Sequence, residues 1–200
     1  LPSLYHEDIA KKLIPYLHDG QIVFLHPEAS CGALAFKKIM KDMGCKANIV
    51  LGAASTLVYV TRIVTPGTVE ITGIKHVTYI AALPASDNEK LEAAICDTMP
   101  WFKICDNVLY TSLHNQNAMV HPLPVMLNTS RIEAEPHQDY LYYREAITPS
   151  IGHYIELMDK ERVKIGEAYG LKMQDIRELE LAMYQDGNLS LDDSIDVILK

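Results

Sequence analysis

Between Tyr5 and Leu17 the apolar residues Ile9, Leu13, Ile14 and Leu17 recur at helical spacing, and His18-Asp19-Gly20 closes the segment on a glycine, which predicts an amphipathic helix. Gln21-Ile22-Val23-Phe24-Leu25 then has the brevity and β-branched character of a buried parallel strand, followed by the turn His26-Pro27-Glu28-Ala29-Ser30. Leu34, Phe36, Ile39, Met40 and Met43 build a second helix ending at Gly44, and Ala47 to Leu51 gives the next strand. Two alternations of this length favour right-handed parallel crossovers, the architecture of a doubly wound α/β sheet.

The pattern changes after Leu51. Gly52-Ala53-Ala54-Ser55-Thr56 is a run of small residues that permits close approach of a ligand to the backbone, and Thr65-Pro66-Gly67 is a turn. Val69 to Lys75 alternates apolar and polar, and Val77 to Leu83 follows after one histidine, so the two are expected to pair like a hairpin in a mixed sheet. Glu89 to Met99 is a further helix, and Phe102 to Cys105 with Val108-Leu109-Tyr110 completes the region.

Beyond about Thr111 the β-branched runs give way to helical punctuation. Thr148-Pro149 reads as an N-cap followed by an N1 proline, with Ile151, Tyr154, Ile155, Met158, Arg162 and Ile165 on one face and Gly170 as terminator. Met173 to Tyr184 and Ser190 to Leu199 read as two more helices, the last capped by Ser190 with Asp192 and Asp193 in its first turn. Asp175, Glu178, Glu180 and Asp186 read as a solvated helix face.

Composition narrows the function. The 200 residues carry 18 Lys plus Arg against 26 Asp plus Glu, a formal charge of −8, so the totals hold no basic footprint for nucleic acid. Apolar runs fall well short of the roughly 20 residues a membrane span needs, no secretory signal is legible at the start, and the cytoplasm is the default expectation. Cys31, Cys45, Cys96 and Cys105 lack zinc or thioredoxin spacing and read as four reduced, largely buried thiols. His-Glu-x-x-His is absent, so no metal site is assigned.

Asn117 and His121 stand four apart, on one helical face if the helix survives to Pro122. They suit a site with a titratable ring and an amide, or else a backbone brace and a hydrogen-bonded core histidine; spacing alone favours the second. The setting changes that balance. Asn107 to Leu113, Asn117, His121-Pro122 and Leu127 to Glu133 resemble the opine dehydrogenase family, as do Tyr142 to Ser150 and Asp159-Lys160-Glu161-Arg162. Earlier, Asp19 to Val23, Thr65 to Val69 and Leu83-Pro84-Ala85 resemble its nucleotide-binding domain, so the likeness runs from about His6 to Gly170.

That resemblance implies residues 1–112 as part of a Rossmann-like NAD(P)-binding domain and 113–200 as a helical substrate and dimerisation domain, itself incomplete. It implies an oxidoreductase that uses NAD or NADP to condense an amino acid with a 2-oxo acid reductively and reversibly. His121 would give or take the proton and Asn117 hold substrate or orient the ring. Arg62 and Tyr143 are the expected substrate contacts, against a surface ion pair and interdomain packing as their ordinary uses; Pro2, His26, Pro27 and Thr56 are the expected cofactor contacts. His6 is as readily a capping or solvated residue. The partners are thus small molecules, with a homodimer as the assembly.

Four departures stand against this. No Gly-x-Gly-x-x-Gly occurs, so the glycine-rich half would precede Leu1, and with it the residue that tells NAD from NADP; the chain reads as a piece of a longer enzyme, inactive by itself. His26 to Cys31 and Gly52 to Thr56 differ from the family's usual loops, and of the acidic partner the family gives its histidine only Asp159 offers a stand-in. The alternatives are another two-domain dehydrogenase of 2-oxo or 3-hydroxy acids, and a non-catalytic relative that keeps the scaffold for binding or assembly.

Overall fold

The computed structural model describes residues 5–134 and 140–184; Pro2, Asp186 and the expected helix from Ser190 lie outside them. The chain forms two compact units. One joins the described residues up to Val60 with Lys75–Asn115, and the other joins Thr61–Ile74 with those from Gln116 onward.

The first unit opens with α1 (His6–Leu13), whose Glu7 and Asp8 sit in the first turn and Lys11 and Lys12 in the last, as the helix dipole favours. Ala10 and Ile14 are buried, but Ile9 and Leu13 stay exposed, so the expected apolar face is only half used against the core. β1 (Ile22–Leu25), α2 (Gly32–Asp42) and β2 (Val50–Ala54) follow, with Gly44 at φ +66° ending the α2 segment as expected. β1 and β2 are parallel, with Val23 beside Leu51 and Phe24 beside Gly52.

β5 (Thr78–Leu83) runs antiparallel to β2, and β6 (Phe102–Ile104) parallel to β5, giving a mixed sheet in the order β1-β2-β5-β6. α3 (Asn88–Ile95) and α4 (Val108–Leu113) complete the unit, α4 capped by Asn107, whose Oδ1 accepts the Leu109 and Tyr110 amides at 2.9 and 3.2 Å. Every residue of β2 is buried, and alternate side chains feed opposite cores. Leu51 and Ala53 pack with Ala10, Phe36 and Met40; Val50 and Ala54 pack with Ile80, Leu91 and Phe102.

The expected pairing of Val69–Lys75 with Val77–Leu83 is not what forms. β3 (Tyr59–Thr65) and β4 (Thr68–Ile74) make their own two-stranded sheet across Pro66-Gly67, with Gly67 at φ +83°. The polar alternation of β4 suits a largely exposed ribbon, whereas β5 is apolar enough to lie between β2 and β6.

In the second unit α5 (Asn117–Val120), α6 (Pro122–Leu127) and α7 (Thr129–Ile132) lead to a π-helical turn (Tyr142–Ala146) and then to α8 (Pro149–Ala168) and α9 (Ile176–Tyr184). Thr148 Oγ1 accepts the Ile151 amide at 3.4 Å with Pro149 at the helix start, and Gly170 takes φ +76°. The buried stripe of α8 is Ile151, Ile155, Asp159, Arg162 and Gly166; Tyr154 and Ile165, expected on one face with Ile151, are exposed. The stripe turns because two charged side chains are pulled inward. Asp159 takes Arg162 Nε at 2.7 Å on one oxygen and the Ile176 amide at 2.8 Å on the other, while Arg162 Nη2 donates to Gln174 O at 2.6 Å. Asp159 thus caps α9 from a neighbouring helix, which answers the suggestion that it serves His121.

Gly52 has a packing reason. A Cβ there would lie 2.6 Å from Leu91 Cδ1 and 2.8 Å from Phe24 Cδ2, so the space read as room for a ligand is filled by two side chains. Gly52→Ala is expected to cost about 1–3 kcal/mol by overpacking, checked by urea unfolding; an unchanged midpoint would contradict this packing.

Candidate functional site

In the first unit the parallel strands β1 and β2 end on the same side, where open α/β sheets bind ligands. The loop after β1 turns through a cis peptide at His26-Pro27 and left-handed φ angles at Ala29 (56°) and Cys31 (62°). Its amides and side chains are anchored to neighbouring elements. Glu28 N donates to Ala54 O at 3.0 Å, Val58 N donates to His26 Nε2 at 3.0 Å, and Cys31 N donates to Ser112 Oγ at 3.0 Å. The bond from Val58 needs a lone pair on His26 Nε2, so the ring is neutral there. Burial, with the Lys75 charge adding, holds His26 below its ordinary value.

Beside β1 lies an open cavity of about 730 Å³, lined by α1, β1, this loop and α2, with His6, His26, Pro27, Glu28 and Cys31 at its polar end and Ile9 and Leu13 at its apolar side. That volume is in the range of small-molecule sites. The exposed apolar residues of α1 are therefore cavity wall. Thr56 is buried at the end of β2, its Oγ1 accepting Lys75 Nζ at 2.8 Å. Of the expected cofactor contacts, His26 and Pro27 line the cavity and Thr56 is held by Lys75.

Glu28 was given no role from sequence, yet it is wholly buried. Its Oε2 accepts the Ala33 amide at 3.0 Å, and its Oε1 meets the hydroxyls of Ser112, at 3.0 Å, and of Thr111. Burial pushes the carboxyl above the usual range, against the pull of those hydrogen bonds. The signal in sequence was a lone charge in a short loop leaving a buried strand.

In the second unit the single turn of α5 does place Asn117 and His121 one above the other: His121 N donates to Asn117 O at 3.2 Å before Pro122 restarts the chain as α6. The His121 ring is half-buried, with Tyr142 and Tyr143 at ring-centroid distances of 5.7 and 6.2 Å. Tyr142 Oη lies 2.8 Å from His121 O and fixes this corner. Burial lowers His121, and it raises Tyr142 to about 12. Tyr143 is raised by burial, with Arg62 opposing and Glu180 adding. Arg62, from β3, also donates to Thr61 O at 2.9 Å. The second unit therefore gathers His121, Tyr143 and Arg62, together with Tyr142 and Glu180, which sequence reasoning missed. Glu180 corrects the solvated acidic face: Asp175 and Glu178 are exposed, but Glu180 is buried in the stripe Ile176, Leu179, Glu180, Met183, a periodicity legible in the sequence.

All four cysteines are free, and Cys31 is exposed rather than buried. Among the described residues no cluster of His, Cys, Asp and Glu could hold a metal ion, and no helix is long and apolar enough to cross a membrane.

A mixed sheet covered by helices on both faces, followed by a helical unit with a half-buried histidine on its first turn, makes a Rossmann-like part and a helical part. The family model for the NAD/NADP octopine/nopaline dehydrogenase alpha-helical domain matches residues 104–197. The opine dehydrogenase of Arthrobacter sp. (strain 1C) is 37% identical over 179 residues, covering 89% of this chain and 49% of that protein. These matches support the opine dehydrogenase family for this chain, which spans about half the length of the curated relative. Among solved structures, octopine dehydrogenase in complex with NADH and agmatine shares the fold at a TM-score of 0.68 and 17% identity, over 99% of this chain and 51% of that one. Apo yersinopine dehydrogenase shares it at 0.71 and 14%, over 100% and 53%. Related structures hold NADP+ on yersinopine dehydrogenase, and NADH with L-arginine or with pyruvate on octopine dehydrogenase.

Because folding holds His26 below its ordinary 6.5, the unfolded chain binds that proton more readily. The stability contributed by the neutral ring is present above about pH 6.5 and is lost as pH falls below it. Urea unfolding midpoints should drop from about pH 7.5 to about pH 5. His26→Phe, which keeps the contacts to Phe24 and Phe102 but leaves the Val58 amide without an acceptor, should cost about 1–3 kcal/mol at neutral pH and flatten that slope.

Proposed function

We propose that this chain is part of an NAD(P)H-dependent opine dehydrogenase of the cytoplasm, which condenses the amine of an amino acid with a 2-oxo acid and reduces the resulting imine. The observation that carries the reading is the half-buried His121 on the Asn117–His121 turn, inside the segment that matches the family's helical domain. Four free thiols fit a reducing compartment. In the relatives, NADH is accompanied by agmatine, L-arginine or pyruvate, an amine or amino acid and a 2-oxo acid, which supports the same pair of substrate classes here.

The cavity beside β1 suits one end of a dinucleotide, with His26 and Pro27 in its lining, and Thr56, just beyond β2, as the residues that would hold it. The glycine-rich cradle for pyrophosphate is not among these 200 residues. When bound, NAD(P)H supplies the hydride. His121 then has the proton to handle: it donates to the substrate atom beside the carbon being reduced and recovers that proton in the reverse direction. Its burial, with the pKa held down, keeps it neutral at physiological pH and ready to accept in the oxidative direction. Asn117 orients the ring or the substrate from the start of the same turn. Arg62 gives a guanidinium for a substrate carboxylate, near enough for its charge to act on Tyr143.

The test uses the full-length protein with amine and oxo-acid pairs. His121→Ala should lower kcat roughly 10²- to 10⁴-fold with little change in NAD(P)H affinity. In the oxidative direction kcat/KM should fall on the acid side with an apparent pKa below 6.5, and that limb should vanish in His121→Ala. Turnover untouched by the substitution would end the catalytic assignment.

A further inference from the structure

Glu28 is the one wholly buried carboxyl group among the described residues, and the proposed chemistry leaves it without a task. Its surroundings bring two hydroxyls and several acceptors into close contact. Thr111 has a single hydroxyl proton and a helix carbonyl to give it to, Val108 O at 3.0 Å. Thr111 Oγ1 is also in hydrogen-bond contact with Glu28 Oε1, so two acceptors face that one proton, and a proton carried by Glu28 would satisfy both contacts at once. Ser112 Oγ accepts the Cys31 amide at 3.0 Å and donates to Glu28 Oε1 at 3.0 Å; Glu28 Oε2 accepts the Ala33 amide. Every donor would then have one acceptor and no charge would be left buried.

We propose that Glu28 is a positioning residue that works as a neutral acid, its carboxyl group latching the loop between β1 and α2 onto α4 and so holding the mouth of the cavity in shape. The contacts it makes are 83 and 84 residues away in sequence, and the Cys31 amide shares the same serine. Neutrality matters here. A carboxylate at this position would be favoured by the start of α2 but would face a cofactor that is itself anionic, whereas the neutral acid supplies the same fastening without that repulsion. The latch rests on the cofactor reading above only for what the cavity holds, not for its own geometry.

Two kinds of measurement keep those claims apart, made on the full-length protein with Glu28→Gln, which can still donate at one atom and accept at the other, and Glu28→Ala, which cannot. Independently of any cofactor, the infrared carbonyl band of a protonated acid should be present in the wild type at neutral pH and missing in Glu28→Gln. Amide hydrogen exchange at Cys31 and Ala33 should rise roughly tenfold or more in Glu28→Ala and stay near wild type in Glu28→Gln. NADH titration should then follow the same order, within about threefold for Gln and roughly tenfold or more weaker for Ala. If Glu28→Ala does not fold, Ser112→Ala combined with Thr111→Val takes its place with the same readouts. An absent acid band, a Gln variant as loose as Ala, or exchange unmoved by either loss overturns the latch. Loosened exchange in a protein whose wild type binds neither NADH nor NADPH keeps the latch and rejects the cofactor reading instead.

Discussion

The first unit depends on a strand that has no solvent face. All five residues of β2 are buried, so the chain has to supply cover on both sides of it: α1, α2 and α4 on one, α3 on the other. Its neighbours are constrained in turn, β1 parallel on one edge and β5 antiparallel on the other, each with an apolar face to complete one of the two cores. Gly52 is the point where this becomes tightest, because the two layers meet through it. The ends of β1 and β2 are then rigid, and the loops leaving them inherit that rigidity as a platform for a site.

Around this apolar frame several of the polar groups taken inside are put to structural use. Asp159 and Arg162 cross-brace α8 to the start of α9, adding to the cap that Asp175 already gives that helix by accepting the Glu178 amide at 2.8 Å. Lys75 spends its buried ammonium on Thr56 at the end of β2. His26 serves as an acceptor, stacked in a ring cluster with Phe24 and Phe102. In each case desolvation is offset by a specific partner, and the partner lies on a different segment, so satisfying the group also fixes the tertiary arrangement.

Much of this was legible in the sequence wherever periodicity and punctuation agreed. α8 was set by Thr148-Pro149 and Gly170, and β1, α2 and β2 by short apolar runs between glycines; the likeness in motifs around His121 named the family before any fold was seen. The misreadings share a cause, which is that a local pattern does not name its partner. Val69–Ile74 has the alternation of a strand whichever neighbour it takes, and Pro66-Gly67 joins it to β3 rather than β5. Small residues at Gly52 look the same whether a ligand or Leu91 fills the gap. Glu28 and Glu180 were passed over because charge was equated with solvent, although Glu180 occupies a core position of its helix. The site at His121 was partly visible because two of its members lie on one turn, whereas Arg62 and Glu180 join it only through the fold.

The β3–β4 ribbon interrupts the first unit in sequence while counting with the second, and this makes the first unit discontinuous. No single cut separates the two. During synthesis β1 and β2 emerge early but cannot complete their sheet until β5 and β6 have followed the ribbon out, so the first unit closes late relative to its place in the gene. Domain exchange between relatives would likewise have to move two segments together, and recombination at the boundary near residue 115 alone would transplant a helical part without its ribbon.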